Sequence, residues 1–271
     1  MNKTPQLLAC FLAVAVLGIT SCSSGGSSSS SYSSGSGKGI DKSLENQIKA
    51  AKQFKPKSDK YEYYIGSGSS DVKVTFTKPL SVYSALPFST KVLKENFKDG
   101  AKSYSLIGKI AIYNLDYSTV IGTSYTSIVS SSGSPDIPNL NQSYIQDVVG
   151  LKTTKSQFDK LGDLKATYDG TNNAFRQNGN STQLSSFVYT IDFATDKGTG
   201  KITGFGGIDL AEATLNRDSA SITGVTSKID GKHRTYKLEF FGPKAEEVAG
   251  KVFDETGDKD FSEIGLVGKR N

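Results

Sequence analysis

The sequence predicts a mainly all-β protein of two β-rich domains: an N-terminal β domain with a short helix, and a C-terminal eight-stranded antiparallel β-barrel. Three observations lead there. Apolar residues alternate with polar ones over short runs, the period of a strand with one buried face. In the second half such runs recur at regular spacing, about eight of them, separated by turns rich in glycine and aspartate. Closing that meander into a barrel removes the sheet edges that would otherwise template aggregation. A β-sandwich is the alternative arrangement of the same strands.

Residues 1–21 read as a leader. Lys3 supplies a positive charge, and residues 7–19 form an apolar run. Its length of about 13 residues suits a signal-peptide core and falls short of the ~20 needed to span a bilayer. Ile19, Thr20, Ser21 and Cys22 resemble the bacterial lipobox, in which the cysteine is acylated. The expectation is a signal peptide over 1–21, lipidation of Cys22 and membrane attachment through that lipid. Ser23 at the next position, where an aspartate would retain the protein, resembles outer-membrane sorting signals. Residues 22–39 are almost wholly serine and glycine. They bury too little apolar surface to offset their ordering entropy and are expected to form a flexible tether.

The N-terminal β domain is expected over residues 40–146. A helix is predicted over 40–54, with Ile40, Leu44, Ile48 and Ala51 on one face and Lys42, Lys49 and Lys52 elsewhere. Pro56 ends it, and its apolar face packs on the first sheet. Tyr61, Tyr63 and Ile65, then Val72, Val74 and Phe76, alternate as strands do; residues 104–112, 118–125 and 143–151 are further β-rich runs. Residues 130–141, with Pro135 and Pro138 and no periodicity, read as an exposed loop.

The barrel is expected over residues 147–271. Phe187, Tyr189, Ile191 and Phe193 share one strand face, followed by a turn at 196–200 and a partner strand at 201–205. Residues 221–229 lead into Asp230-Gly231, the strongest short hairpin signal, after which Tyr236, Leu238 and Phe240 point inward. Residues 242–250 predict a single short helix: Pro243 at its first position, Glu246 and Glu247 in its first turn, Gly250 at its close. Val252 and Phe253 resume a strand, and residues 264–269 form the last one.

Composition narrows the chemistry. The formal charge is +5, carried by lysines scattered among acidic and polar neighbours, a solvated surface and not a nucleic-acid stripe. Of two cysteines, Cys10 leaves with the leader and Cys22 is taken by lipid, so the folded part has no disulfide, thiolate ligand or thiol nucleophile. The single histidine, His233, follows the Asp230-Gly231 turn and is expected at the surface. No nucleophile-elbow or calcium-loop motif occurs. The chain is therefore expected not to be an enzyme, with no catalytic residue, no metal and no cofactor. Tyr61, Tyr63, Tyr64, Tyr83, Tyr104, Tyr113, Tyr117, Tyr125 and Tyr144 offer aromatic anchors for a protein partner, although several must be core.

A family resemblance sharpens this. Phe158-Asp159-Lys160-Leu161, Ala166-Thr167-Tyr168-Asp169-Gly170, residues 189–194, Gly198-Thr199-Gly200-Lys201-Ile202, Asp209-Leu210-Ala211 and Gly231-Lys232-His233-Arg234 occur in order. Residues 241–250 (FGPKAEEVAG) and Ile264-Gly265-Leu266 follow. Together they resemble the C-terminal barrel of the factor H-binding protein family of bacterial surface lipoproteins. The 241–250 element is also similar to the barrel motif of transferrin-binding protein B and of haemophilin-type haemophores. The resemblance implies export by the surface lipoprotein assembly modulator, lipid-anchored residence on the outer-membrane surface, and capture of a host serum protein. Complement factor H is the partner it implies first, for complement evasion. Haemoglobin, haem or transferrin capture for iron acquisition is the alternative, and a structural or adhesive lipoprotein a further one. A haem ligand would have to be tyrosine, because the first half has no histidine and the mature chain no methionine.

Overall fold

The computed structural model describes residues 41–55, 62–66, 72–74, 79–99, 102–130, 135–178, 181–256 and 261–271. The expected leader, Cys22 and the tether lie outside them. Residues from Ile40 to Asn271 form one compact unit. Helix α1 (Lys42–Ala51) is followed by β1 (Gln53–Phe54), β2 (Glu62–Gly66), β3 (Val72–Val74), β4 (Leu80–Ser81) and β5 (Phe88–Asp99). Next come β6 (Lys102–Asn114), β7 (Ser118–Ser130), β8 (Pro135–Gly150) and a one-turn helix α2 (Lys155–Phe158). The remainder is β9 (Lys165–Asp169), β10 (Ala174–Asn178), β11 (Ser181–Ser185), β12 (Phe187–Asp192), β13 (Lys197–Ile202) and β14 (Ile208–Asn216). It closes with β15 (Ser221–Ile229), β16 (Lys232–Phe241), β17 (Glu247–Phe253) and β18 (Ile264–Arg270).

The predicted barrel is present. Strands β9 and β12 to β18 run antiparallel in one sheet, and β18 closes on β9 through Lys269 opposite Asp169 and Arg270 opposite Tyr168. That closure excludes the sandwich. The hairpin β10–β11 hangs from the same β18 through Ala174 and Phe175. Alternate residues fill the lumen as expected: Phe187, Tyr189 and Ile191 from β12, and Tyr236, Leu238 and Phe240 from β16, are fully buried. Phe240 lies 5.6 Å from Tyr168 and 5.8 Å from Phe158, ring centre to ring centre, both edge to face. Asp230 (φ 50°) and Gly231 (φ 79°) make the two-residue hairpin that their identity predicts.

The other sheet has the order β3-β2-β5-β6-β7-β8. Its centre is buried on both faces. Ala111, Val120 and Ile145 pack with Phe175, Phe241, Ala249 and Val267 of the barrel side. From the opposite face, Ile110, Ile112 and Ile121 pack with Phe54 and Val82 of the segment that follows α1. Burial of both faces suits the apolar run Ile110, Ala111 and Ile112 of β6, whereas β7 buries Ser118, Thr119, Thr123 and Ser124 beside Val120 and Ile121.

Several expectations are corrected. The helix spans 42–51, not 40–54, because Gln53 and Phe54 turn away to pair with Ser81 and Leu80. Of residues 130–141, 135–141 lie in strand β8, with Pro138 opposite Ser127 and Pro135 opposite Val129. Prolines are tolerated there because β8 is the sheet's edge and needs no outward ladder bond. The turn set at 196–200 sits at 193–196, and β13 begins at Lys197. Gly198 and Gly200 are in the strand instead: a Cβ on either would come within 2.6 Å of Tyr189 atoms, so they make room for that ring. Strand β5 carries no clean alternation and escapes the sequence reading. No helix forms over 242–250: Gly242 (φ 90°) and Ala245 (φ 52°) are left-handed, making a turn that delivers Glu247 into β17.

Candidate functional site

Chemistry-bearing side chains are dispersed. His233 is exposed, its Nδ1 2.7 Å from the carbonyl oxygen of Thr226. Among the described residues, no three of His, Cys, Asp and Glu converge as a metal site would require. Cys22, the predicted lipidation residue, lies outside the described residues. Two surfaces of the described residues are well defined.

The first is a cleft of about 170 Å³ between the edge strand β8 and the barrel wall. Ile145, Asp147 and Val148 line one side, and Lys237, Glu239 and Lys251 the other. A register shift in β8 opens it: Ile121 faces Asp147 while the adjacent Gly122 faces Ile145. That bulge bends the strand. The Ile145 N–H donates to Glu263 at 2.5 Å. Lys237 and Lys251 sit directly opposite each other on β16 and β17. Like charges so placed repel, but each has its own carboxylate: Glu239 is 3.0 Å from Lys237, and Glu263 is 2.9 Å from Lys251. Lys152 also pairs with Glu239, at 3.0 Å. Burial, and then the nearby Glu263, push the Tyr144 phenol above its ordinary pKa. The cleft has an apolar floor and a charge-balanced rim. It suits a protein side chain better than a small anion, and it holds no nucleophile–base pair.

The second surface is the barrel wall over β9, β12, β13 and β14. Lys165 meets Asp192 at 3.4 Å, Lys197 meets Glu212 at 2.8 Å and Lys201 meets Asp209 at 3.7 Å. Val188 on β12 is exposed beside this ladder of charge pairs, of which only Asp192 is half-buried.

The candidate tyrosine anchors divide. The side chains of Tyr61, Tyr63, Tyr64, Tyr104 and Tyr125 lie outside what the structure describes. Tyr113 stacks on Phe175 at 6.1 Å and packs, like Tyr117, into the contact between sheet and barrel. Tyr83 lies under Lys49, whose Nζ is 5.1 Å from the ring centre. Tyr83, Tyr113, Tyr117 and Tyr144 are all half-buried.

Glu247 and Lys52 lie where local sequence rules do not put them. Glu247 is buried, not in the first turn of a helix. Its carboxylate accepts from the backbone N–H of Asp116 (2.8 Å) and Tyr117 (3.0 Å) and from the Ser118 hydroxyl (2.8 Å). Burial raises its pKa despite those bonds. Lys52 was set off the apolar face, yet it is only 1 % exposed. Its Nζ donates to Asn114 Oδ1 at 2.9 Å and to the Leu115 carbonyl, and burial lowers its pKa to about 8. The spacing of Leu44, Ile48 and Lys52, four apart, was the available signal.

Residues 159–252 match the family described as factor H binding protein, C-terminal. Among solved structures, the chain is similar to transferrin-binding protein B of serogroup B Neisseria meningitidis. Identity is 15%, coverage 78% of this chain and 43% of that one, and the TM-score 0.45. The corresponding protein of Haemophilus parasuis Hp5, as a double mutant, gives 15%, 78%, 44% and 0.44. A protein described as a surface lipoprotein is 16% identical, with 79% of this chain and all of that one covered, at 0.38. The chain spans less than half the length of the transferrin-binding proteins it matches.

Proposed function

We propose that this chain, whose residues 159–252 match the family described as factor H binding protein, C-terminal, is a bacterial surface lipoprotein that captures a host serum protein. Complement factor H is the ligand, recruited to suppress complement on the cell. The observation that carries this reading is the family match over 159–252, which falls on barrel strands β9 and β12 to β17 and on the β10–β11 hairpin. Lipid on Cys22 holds the protein at the outer-membrane surface, and residues 23–39 let the body stand off and reorient. The cleft and the barrel wall fit such a role: a polar rim around limited apolar area is what protein interfaces use. Export by the surface lipoprotein assembly modulator belongs to the same proposal.

Passing serum from several hosts over the immobilised full chain tests the ligand. Retention of factor H is the expected result; retention of haemoglobin or transferrin instead would replace it with the iron-capture reading. A haem titration is expected to give no Soret shift. Mass spectrometry of the mature N-terminus is expected to find acylated Cys22, and an unmodified cysteine there would sink the lipoprotein assignment.

A further inference from the structure

The turn between β6 and β7 is held from both sides by buried charge. From the helix side, Lys52 donates to the Leu115 carbonyl and to Asn114 Oδ1 at 2.9 Å. From the barrel side, Glu247 accepts the Asp116 N–H at 2.8 Å. The Leu115 carbonyl and the Asp116 N–H belong to one peptide group. That peptide therefore stands between an ammonium at its oxygen and a carboxylate at its nitrogen, aligned with its own dipole. Each ion polarises the peptide in the sense that strengthens the bond to the other.

The surroundings fix the turn further. Leu115 N–H donates to the Ser118 carbonyl at 2.8 Å, and Thr119 Oγ1 to Asn114 Oδ1 at 2.6 Å. Asn114 Nδ2 donates to the Ala85 carbonyl at 2.7 Å, and Leu151 N–H to the Tyr117 carbonyl at 2.9 Å. The charged groups facing this cluster are Asp116 of the turn and Lys269 of β18, 2.8 Å apart, with Glu246 beside Glu247. Lys52 at a pKa near 8 and Glu247 raised by burial mark both ions as desolvated. A desolvated ion is tolerated where dipoles are already aimed at it.

We propose that the Leu115–Asp116 peptide is a two-sided latch, gripped by Lys52 and Glu247, that couples the segment after α1 to the barrel through the β6–β7 turn. The two grips are cooperative. Loosening one loosens the other, although Lys52 belongs to the helix end and Glu247 to β17.

Amide hydrogen exchange in the full chain tests this. Lys52→Met touches neither amide that Glu247 holds, yet it is expected to speed exchange at Asp116 by about tenfold, the scale of one net hydrogen bond. Glu247→Gln is expected to speed Asp116 and Tyr117 by at least as much. In the double variant the acceleration at Asp116 is expected to be smaller than the product of the two single effects. Exchange at Tyr189, inside the barrel, serves as the control and stays slow. Should Glu247→Gln not fold, Ser118→Ala replaces it, removing one donor from the same carboxylate. An Asp116 amide unaffected by Lys52→Met, or accelerations that multiply independently, would overturn the latch.

Discussion

The barrel and the six-stranded sheet bury comparable apolar strands by opposite means. The barrel is closed on itself, with β18 paired to β9, and its lumen is filled from within by Tyr168, Tyr189, Tyr236 and Phe240. The sheet is open. It ends on β8, borrows Phe175, Phe241 and Val267 for one face, and takes Phe54 and Val82 for the other. Closure makes stability an internal property of the barrel, whereas the sheet is as stable as its two coverings. The difference also places function: a self-sufficient barrel tolerates surface change, and the sheet's edge and its bulge open the cleft.

The largest expected effect breaks the barrel from inside. Phe240 meets the rings of Tyr168, Phe158 and Phe193 within 6.0 Å, so Phe240→Ala leaves a cavity no neighbour can fill. Urea unfolding is expected to show a loss of about 3–5 kcal/mol, with sheet and barrel signals falling together. Phe175→Ala cuts the contact between the two. Its ring is seated over Gly122, where a Cβ would come within 2.9 Å, and over Gly265, and it stacks on Tyr113. A loss of about 3 kcal/mol is expected, with proteolysis and exchange rising in β6 and β7 and not in β12 or β16. If Phe175→Ala unfolded the barrel as completely as Phe240→Ala, the barrel would not be self-sufficient.

Lys52 sharpens the comparison through pH. Its folded pKa, about 8, lies below the ordinary 10.5, so the unfolded chain holds the proton more tightly. The penalty is fully present below pH 8 and is relieved as pH rises from there to 10.5. Relative to Lys52→Met, the wild-type protein is expected to gain up to about 3 kcal/mol across that window. Tyr113 and Tyr168, which burial raises, titrate in both proteins and cancel in the difference. Glu247 runs the other way: its raised pKa contributes stability at low pH that is lost as pH climbs above the ordinary 4.5. A flat difference for Lys52→Met would mean that the ammonium is solvated.

What the sequence made legible follows the range of the physics. Asp230-Gly231 was readable because a two-residue turn is decided by its own φ angles. Phe187 to Phe193 and Tyr236 to Phe240 were readable because a barrel strand has one dry face. Residues 242–250 looked helical because Pro243, Glu246, Glu247 and Gly250 satisfy local helix rules. The outcome was set by partners far along the chain: Tyr168 Oη bonds the Ala245 carbonyl at 2.7 Å, Thr153 Oγ1 bonds the Gly242 carbonyl at 2.7 Å, and Glu247 seeks the turn at Asp116. Gly198 and Gly200 carried a turn-like composition whose cause was the Tyr189 ring on the neighbouring strand. Strand β5 gave no signal, because its order comes from pairing with β6 over its whole length. The cleft was illegible for the same reason, since its two walls are about a hundred residues apart in sequence.

The smallest expected effect concerns the barrel wall, where Lys197 meets Glu212 at 2.8 Å with both side chains more than half exposed. If closure and lumen packing carry the barrel, this ladder of charge pairs is dispensable to the fold. Glu212 raises the pKa of Lys197 by a hydrogen bond and by charge, but water and salt screen a pair so exposed. Lys197→Ala is therefore expected to leave the thermal midpoint within about 1 °C of wild type, at low and at high salt alike. The same substitution in the serum-capture experiment separates two uses of the wall. Loss of ligand retention at an unchanged midpoint would assign the ladder to the partner interface. A midpoint lowered by several degrees would instead show that the wall's charges, and not closure alone, hold the barrel shut.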